Sequence, residues 1–416
     1  MAPSGDTTLA RYTSRELELS MKSAMLLVVG SAVVASVVAT ATVQQPASPS
    51  SPAYNYVTPP ALDDGWATGS LAQAGIDRKR LEAMTDSIRA HPEFNVHAVL
   101  VERNGHLVYE EYFSGKDERW GEPLGVVAFT REIKHDLRSV TKSVVSALVG
   151  IANSTGAIRS LDTPALDYFP EYPDLQLPER RQITIRHALM MAAGFEWNED
   201  VPYNDPKNDE IVMNRSADPM HYVLSRPIVA APGTSWRYNG GTTQVLGTIV
   251  QRATKQPLAD YARARLFSPL GITDFEWLGR LAGVPSAASG LRLRPRDLAK
   301  FGSLYLHDGR WNGQQVLPPE WVVESTRRRL TLPGQSTRGY AYQWWHACYP
   351  TPSGPIEVPT AVGNGTQRVF LLRAQQTVVT VLAGRYNDFS VNPPERLLLD
   401  FIIPALPPAP RSECPS

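Results

Sequence analysis

The chain has 416 residues, 43% of them hydrophobic and 20% charged. That is enough to bury a large core in one or two domains. Forty-one basic and 41 acidic residues cancel, which excludes the one-sided charge of a nucleic-acid surface and gives no reason to expect an acidic partner. No zinc-type Cys/His spacing, phosphate-cradling glycine loop or dinucleotide fingerprint occurs, so neither a metal nor an organic cofactor is expected.

In chain order, residues 24–43 form an uncharged run long enough to span a bilayer. Read from Met21, it has a signal peptide's layout. Lys22 is the positive end, residues 24–38 the apolar stretch, and Ala39-Thr40-Ala41 an A-x-A cleavage site. The rival reading is an uncleaved membrane anchor, with Arg11, Arg15 and Lys22 held in the cytoplasm. Both readings export the globular part of the chain, to the periplasm or beyond. Residues 44–62, rich in Pro, Ser and Ala near their start, read as a flexible linker.

Asp77 is placed to cap a helix carrying Leu81, Met84 and Ile88. Residues 97–113 read as a hairpin turning at Asn104-Gly105. Next comes Ser139-Val140-Thr141-Lys142 at a helix start. Residues three apart on a helix share a face, so the Lys142 amine reaches the Ser139 oxygen. A serine hydroxyl needs such a neighbouring base to become a nucleophile. The pattern alone does not distinguish a catalytic pair from an ordinary buried helix start.

Helices are expected over 185–192, 243–253, 295–307 and 394–403, with a second hairpin over 369–373 and 377–383. Strands at both ends of the chain and helices between imply one antiparallel sheet with a helical insertion. The expected division is a sheet domain of 63–160 and 289–404, a mainly helical domain of 161–288, and a Pro-rich tail of 405–416. Cys348 and Cys414 are the only cysteines. An oxidising compartment would permit their pairing, and two free thiols are the alternative.

Two distant segments supply partners for the serine–lysine pair. Tyr238, in a polar turn before a helix, suits a proton relay. Gly363-Asn364-Gly365-Thr366-Gln367 lets backbone approach a substrate, with an N–H as oxyanion donor.

With these residues in place, the chain over 96–404 resembles serine hydrolases of the class C β-lactamase type. That group includes penicillin-binding carboxypeptidases, family VIII esterases and 6-aminohexanoate-dimer hydrolases, the last being the nearest in character. Ser139-Val140-Thr141-Lys142 matches the S-x-x-K element, Tyr238 the Y-x-N tyrosine, and Asn364-Gly365-Thr366 the K-T-G or H-x-G strand element. The resemblance implies an α/β sandwich: an antiparallel β-sheet flanked by helices, plus a mostly helical inserted domain. It makes Ser139 the acyl-accepting nucleophile, Lys142 its base and Tyr238 the proton relay. The oxyanion hole would be the N–H groups of Ser139 and Gln367.

Asn364, Gly365, Thr366, Gly240 and Trp344 are the expected substrate-binding residues. Trp344 and Trp345 are read as an apolar pocket wall or as core. His187, Arg296 and Asp297 are read as structural.

Two departures shape the expected specificity. Gly240 replaces the asparagine of Y-x-N, and Asn364 replaces the usual lysine or histidine, leaving no evident cation for a substrate carboxylate. Losing such a charge-assisted contact costs about 1.5–3 kcal/mol. The expectation is therefore hydrolysis of a neutral carboxylic ester or small linear amide through an acyl-enzyme. A β-lactamase or D-Ala-D-Ala carboxypeptidase, or an inactive sensor or scaffold on the same fold, are the alternatives.

Overall fold

The computed structural model describes residues 53–408 and Cys414, apart from Arg280 and Pro352. Helix α1, Arg78–Ala90, starts at Asp77, whose carboxylate accepts from the Lys79 N–H. Strands β2 (Val96–Arg103) and β3 (His106–Tyr112) form the expected hairpin. Asn104 and Gly105 both take positive φ at its turn (52° and 81°), as a two-residue turn matching strand twist requires. Ahead of them, β1 (Ala67–Thr68) joins β3 in parallel.

The C-terminal half supplies the other strands: β9 (Leu330–Leu332), β10 (Gln335–Tyr340), β11 (Trp345–Tyr349), β12 (Ile356–Gly363), β13 (Gln367–Leu372) and β14 (Thr377–Ala383). The nine strands run in the order β1-β3-β2-β14-β13-β12-β11-β10-β9. The two ends of the chain meet where β2 pairs antiparallel with β14. Except for the short β1–β3 pair, all neighbours are antiparallel. The sheet is thus mixed at one edge.

Period-two alternation gives the sheet two apolar faces. Val99 and Val101 of β2 pack with Leu81, Met84 and Ile88 of α1. Ala98 and Leu100 face the other side, with α2 (Val140–Ser154) and α8 (Pro295–Leu306). A separate ribbon, β4 (Ser114–Arg119) with β5 (Glu122–Ala128), leads into β6 (His135–Asp136), which pairs with β8 (Leu291–Leu293). Strand β7 (Glu276–Trp277) completes that small sheet.

Between α2 and β7 the elements are helical: α3 (Ile185–Leu189), α4 (Asp209–Arg215), α5 (Pro219–Ser225), α6 (Gly240–Thr254), α7 (Leu258–Ala262) and several 3₁₀ turns. Helix α3 stops short of 192 because Met191 takes φ 56°. The last helix is likewise not one α-helix over 394–403, since a π-helical turn at Leu398–Ile402 interrupts it. His187 Nδ1 accepts from the Thr184 N–H in a capping box at the start of α3. Arg296 bonds Glu110 and Asp64, and Lys300 bonds Asp297, so all three residues have structural partners. Cys348 and Cys414 are joined as a disulfide. Among the described residues no helix is long and apolar enough to cross a membrane; residues 24–43 lie outside them.

Candidate active site

Helix α2 is buried from Val140 to Ala152, which fixes its first turn rigidly. Arg138, just before it, takes the left-handed φ of 48°, a conformation costly for a non-glycine residue. Arg138 is held there by ion pairs to Glu118 and to Asp136 (3.3 Å) and by the Tyr386 ring 5.0 Å away. Ser139 occupies the N-cap position, yet its side chain makes no cap. Its Oγ instead takes Lys142 Nζ at 3.1 Å. The same amine donates to the Ala288 carbonyl at 2.9 Å and lies 4.9 Å from the centre of the Tyr238 ring. The structure thus brings Ser139, Lys142 and Tyr238 together.

The Tyr238 phenol interacts electrostatically with Ser139. Burial, then the Glu199 charge, holds it well above its ordinary value, and the Ser139 interaction offsets only part of this. A phenol held neutral is a proton donor, which suits a relay.

The turn from β12 to β13 lies against the same loop. Gly363 abuts Leu137, whose carbonyl oxygen would be 2.4 Å from an added Cβ. Gly365 and Thr366 carry φ of 95° and 70°. Gln367 heads β13, and its buried side chain donates to the Asp136 carbonyl at 3.1 Å. Thr366 is buried, and its Oγ1 has no hydrogen-bond partner among the described residues.

Ser139 opens into two clefts. One, of about 410 Å³, is walled by Pro202, Tyr203, Trp236, Tyr238, Trp345 and Phe389, with Asn364 and Thr366 at its edge. The other, of about 430 Å³, runs past Arg138, Trp120, Asn214 and Ser289. A nucleophile between an apolar and a polar cleft has room for two unlike halves of a substrate.

Several expected substrate contacts lie elsewhere. Trp344 is fully buried, packed on Phe301 and Tyr305. Trp345 faces the cleft instead, because Gln343 turns the chain with φ 64° and successive extended residues point oppositely. Gly365 is packed on Tyr386. Asn364 reaches the cleft, but its amide is engaged: it donates to Asn387 Oδ1 and accepts from the Asn387 N–H, both at 2.8 Å. The expectation of no cation also needs correcting, since Arg368 is among the cleft residues. Its guanidinium donates to the Gln367 carbonyl at 2.9 Å.

The sequence reading missed a pair of carboxylates. Glu199 accepts from Trp197 Nε1 (2.6 Å), from the Tyr203 hydroxyl (2.9 Å) and from the Gly240 N–H. Glu210, in the first turn of α4, bonds Glu199 and takes Ser289 Oγ at 3.3 Å. Burial, then the Glu199 charge, pushes Glu210 up to about 8, with Lys142 opposing. Gly240 makes room for the pair: a Cβ there would lie 2.4 Å from Glu210 Oε2 and 3.2 Å from Glu199 Oε2. The missing asparagine of Y-x-N was the available signal, because a buried polar gap must be filled.

The family model described as Beta-lactamase matches residues 84–400. The chain belongs to the beta-lactamase family. It is 28% identical over 211 residues to esterase EstB of Burkholderia gladioli, covering 47% of this chain and 50% of that one. It is 26% identical over 306 residues to 6-aminohexanoate-dimer hydrolase of Paenarthrobacter ureafaciens, covering 69% and 72%. The match thus spans half the length of the esterase. Among solved structures, a putative 6-aminohexanoate-dimer hydrolase from Bacillus anthracis superposes with a TM-score of 0.60 at 22% identity, covering 74% of this chain and 78% of that one. EstCE1, a hydrolase with promiscuous acyltransferase activity, gives 0.61 at 15% identity, covering 79% and 97%. These likenesses establish the β-lactamase-type fold, and family membership supports a serine hydrolase.

Proposed function

We propose that this chain is an exported serine hydrolase that cleaves a neutral carboxylic ester or small linear amide through a covalent acyl-enzyme. The observation that carries the reading is Lys142 Nζ at 3.1 Å from Ser139 Oγ and 4.9 Å from the centre of the Tyr238 ring. Ser139 Oγ attacks the carbonyl carbon while Lys142 takes its proton. The oxyanion forms toward the N–H groups of Ser139 and Gln367. Tyr238 passes a proton to the leaving alcohol or amine, the acyl–oxygen or acyl–nitrogen bond breaks, and the ester to Ser139 remains. Water then attacks that ester, giving up its proton through the same groups and releasing the acid.

Neutral substrates are favoured because Asn364 is uncharged and bonded to Asn387, and Arg368 already serves a backbone carbonyl. The names of two relatives, an esterase and a 6-aminohexanoate-dimer hydrolase, agree with the ester or amide class. Export rests on residues 22–41, by cleavage or by an anchor; the Cys348–Cys414 disulfide fits an oxidising compartment.

The test is a substrate panel: short aryl esters, linear amides, a chromogenic cephalosporin and D-Ala-D-Ala peptides, with Ser139→Ala as control. The expected result is kcat/KM for the best ester or amide about tenfold or more above either carboxylate-bearing class. Preference for the cephalosporin or the peptides would overturn the specificity.

A further inference from the structure

Under the nucleophile loop lies a buried cluster that the hydrolytic reading does not use. His97 of β2, Asp117 of β4 and His135 of β6 place one ligand atom each within 4.8 Å of one another. Both imidazoles are wholly buried and Asp117 nearly so.

The hydrogen bonds around the rings fix their tautomers. His135 Nδ1 faces the Asp136 carbonyl at 2.9 Å, so it carries a hydrogen. His97 Nε2 faces Asn95 Oδ1 at 3.2 Å. That amide cannot be flipped, since its oxygen accepts from the Lys116 N–H at 2.9 Å and its nitrogen donates to the Lys116 carbonyl at 2.8 Å. His97 Nε2 therefore carries a hydrogen too. Two neutral rings are then left with His97 Nδ1 and His135 Nε2 facing each other, lone pair to lone pair, at 2.8 Å. Asp117 lies beside them, Oδ1 3.7 Å from His135 Nε2. Its Oδ2 is buried with no hydrogen-bond partner among the described residues.

We propose that His97 Nδ1, His135 Nε2 and Asp117 form a site for a divalent transition-metal ion, zinc by preference. Two imidazole nitrogens and a carboxylate suit that class of ion. Each ligand already has the outer partner such sites require: the Asp136 carbonyl for His135, Asn95 for His97, and the Tyr386 hydroxyl on Asp117 Oδ1 at 2.8 Å. Nitrogens on a tetrahedral zinc stand about 3.3 Å apart, so loading widens the pair by roughly half an ångström. An ion here would tie β2, β4 and β6 together three residues before Arg138. Local spacing could not reveal the site, because its ligands come from three separate strands.

The test uses the full chain, stripped with a chelator and titrated with Co²⁺ and then Zn²⁺, read by visible absorbance and thermal unfolding. The expected result is a single Co²⁺ per chain with d–d bands, displaced by Zn²⁺, and a higher Tm with either ion. His97→Gln and Asp117→Asn, each checked for fold by circular dichroism, should lose the bands. A folded wild type that shows neither bands nor a Tm shift overturns the proposal. So do bands that persist undiminished in both variants, because the ion then sits elsewhere. Ring-nitrogen NMR of the stripped wild type reads the site without a variant. Zinc should shift His97 Nδ1 and His135 Nε2, whereas a proton shared between them that zinc does not displace contradicts the proposal.

Discussion

Glu210 fills the space that a side chain at position 240 would need: its Oε2 lies 2.4 Å from where a Gly240 Cβ would stand. The relationship gives a physical reason for one departure of the site, Gly240. A family position that carries an amide is bare here, and a buried carboxyl from α4 has moved into the gap beside Ser139, Lys142 and Tyr238. Gly240→Ala should therefore destabilise the fold by about 1–3 kcal/mol through overpacking. Glu210→Ala in the same chain should recover part of that loss. Urea unfolding of the two single variants and the double variant measures the coupling.

Stability should depend on pH through Glu210. Its carboxyl rises from the ordinary 4.5 to about 8 on folding, so between those values the native state holds a proton that the unfolded chain has lost. This contribution is fully present below about pH 4.5 and is lost as pH rises to about 8, by up to about 1.4 kcal/mol per unit, levelling off above. The difference between wild type and Glu210→Gln, taken from urea midpoints across that range, isolates it. A difference that does not change with pH would contradict the assignment.

Tyr238→Phe keeps the ring tilted against Trp345, 5.5 Å between centroids, and removes only the hydroxyl. Turnover of an ester should fall about 10²–10⁴-fold, the range for a lost general acid–base group. Circular dichroism and Tm should barely move. Steady-state kinetics beside a melting curve separates the two readouts.

The paired tryptophans should behave oppositely. Trp345→Ala opens the apolar cleft, so acyl-chain preference should shift to longer or bulkier esters, with stability changed far less than at a core site. Trp344→Ala empties a core site against Phe301 and Tyr305 and should cost about 3–5 kcal/mol. A chain-length series of esters and a denaturant curve for each variant check the contrast.

That contrast also marks where the sequence stops being informative. Helix α1, both hairpins and α8 were legible because apolar period, a cap or a two-residue turn settles each locally. That Ser139, Lys142 and Tyr238 come together was legible because their motifs keep order and spacing. Which tryptophan faces the cleft was not, since it depends on one left-handed residue, Gln343, with φ 64°. Glu199 and Glu210 were hidden for another reason. They lie on a loop and a short helix with no period, and only their meeting with Gly240 gives them a role.

The central claim is that Ser139 is an activated nucleophile. Mass spectrometry of the intact chain after a fluorophosphonate probe tests it most directly, with Ser139→Ala and Lys142→Ala alongside. The account predicts a single adduct on Ser139, absent in Ser139→Ala and much slower to form in Lys142→Ala. A folded wild type that takes no label, or a Ser139→Ala chain that labels equally, would contradict it.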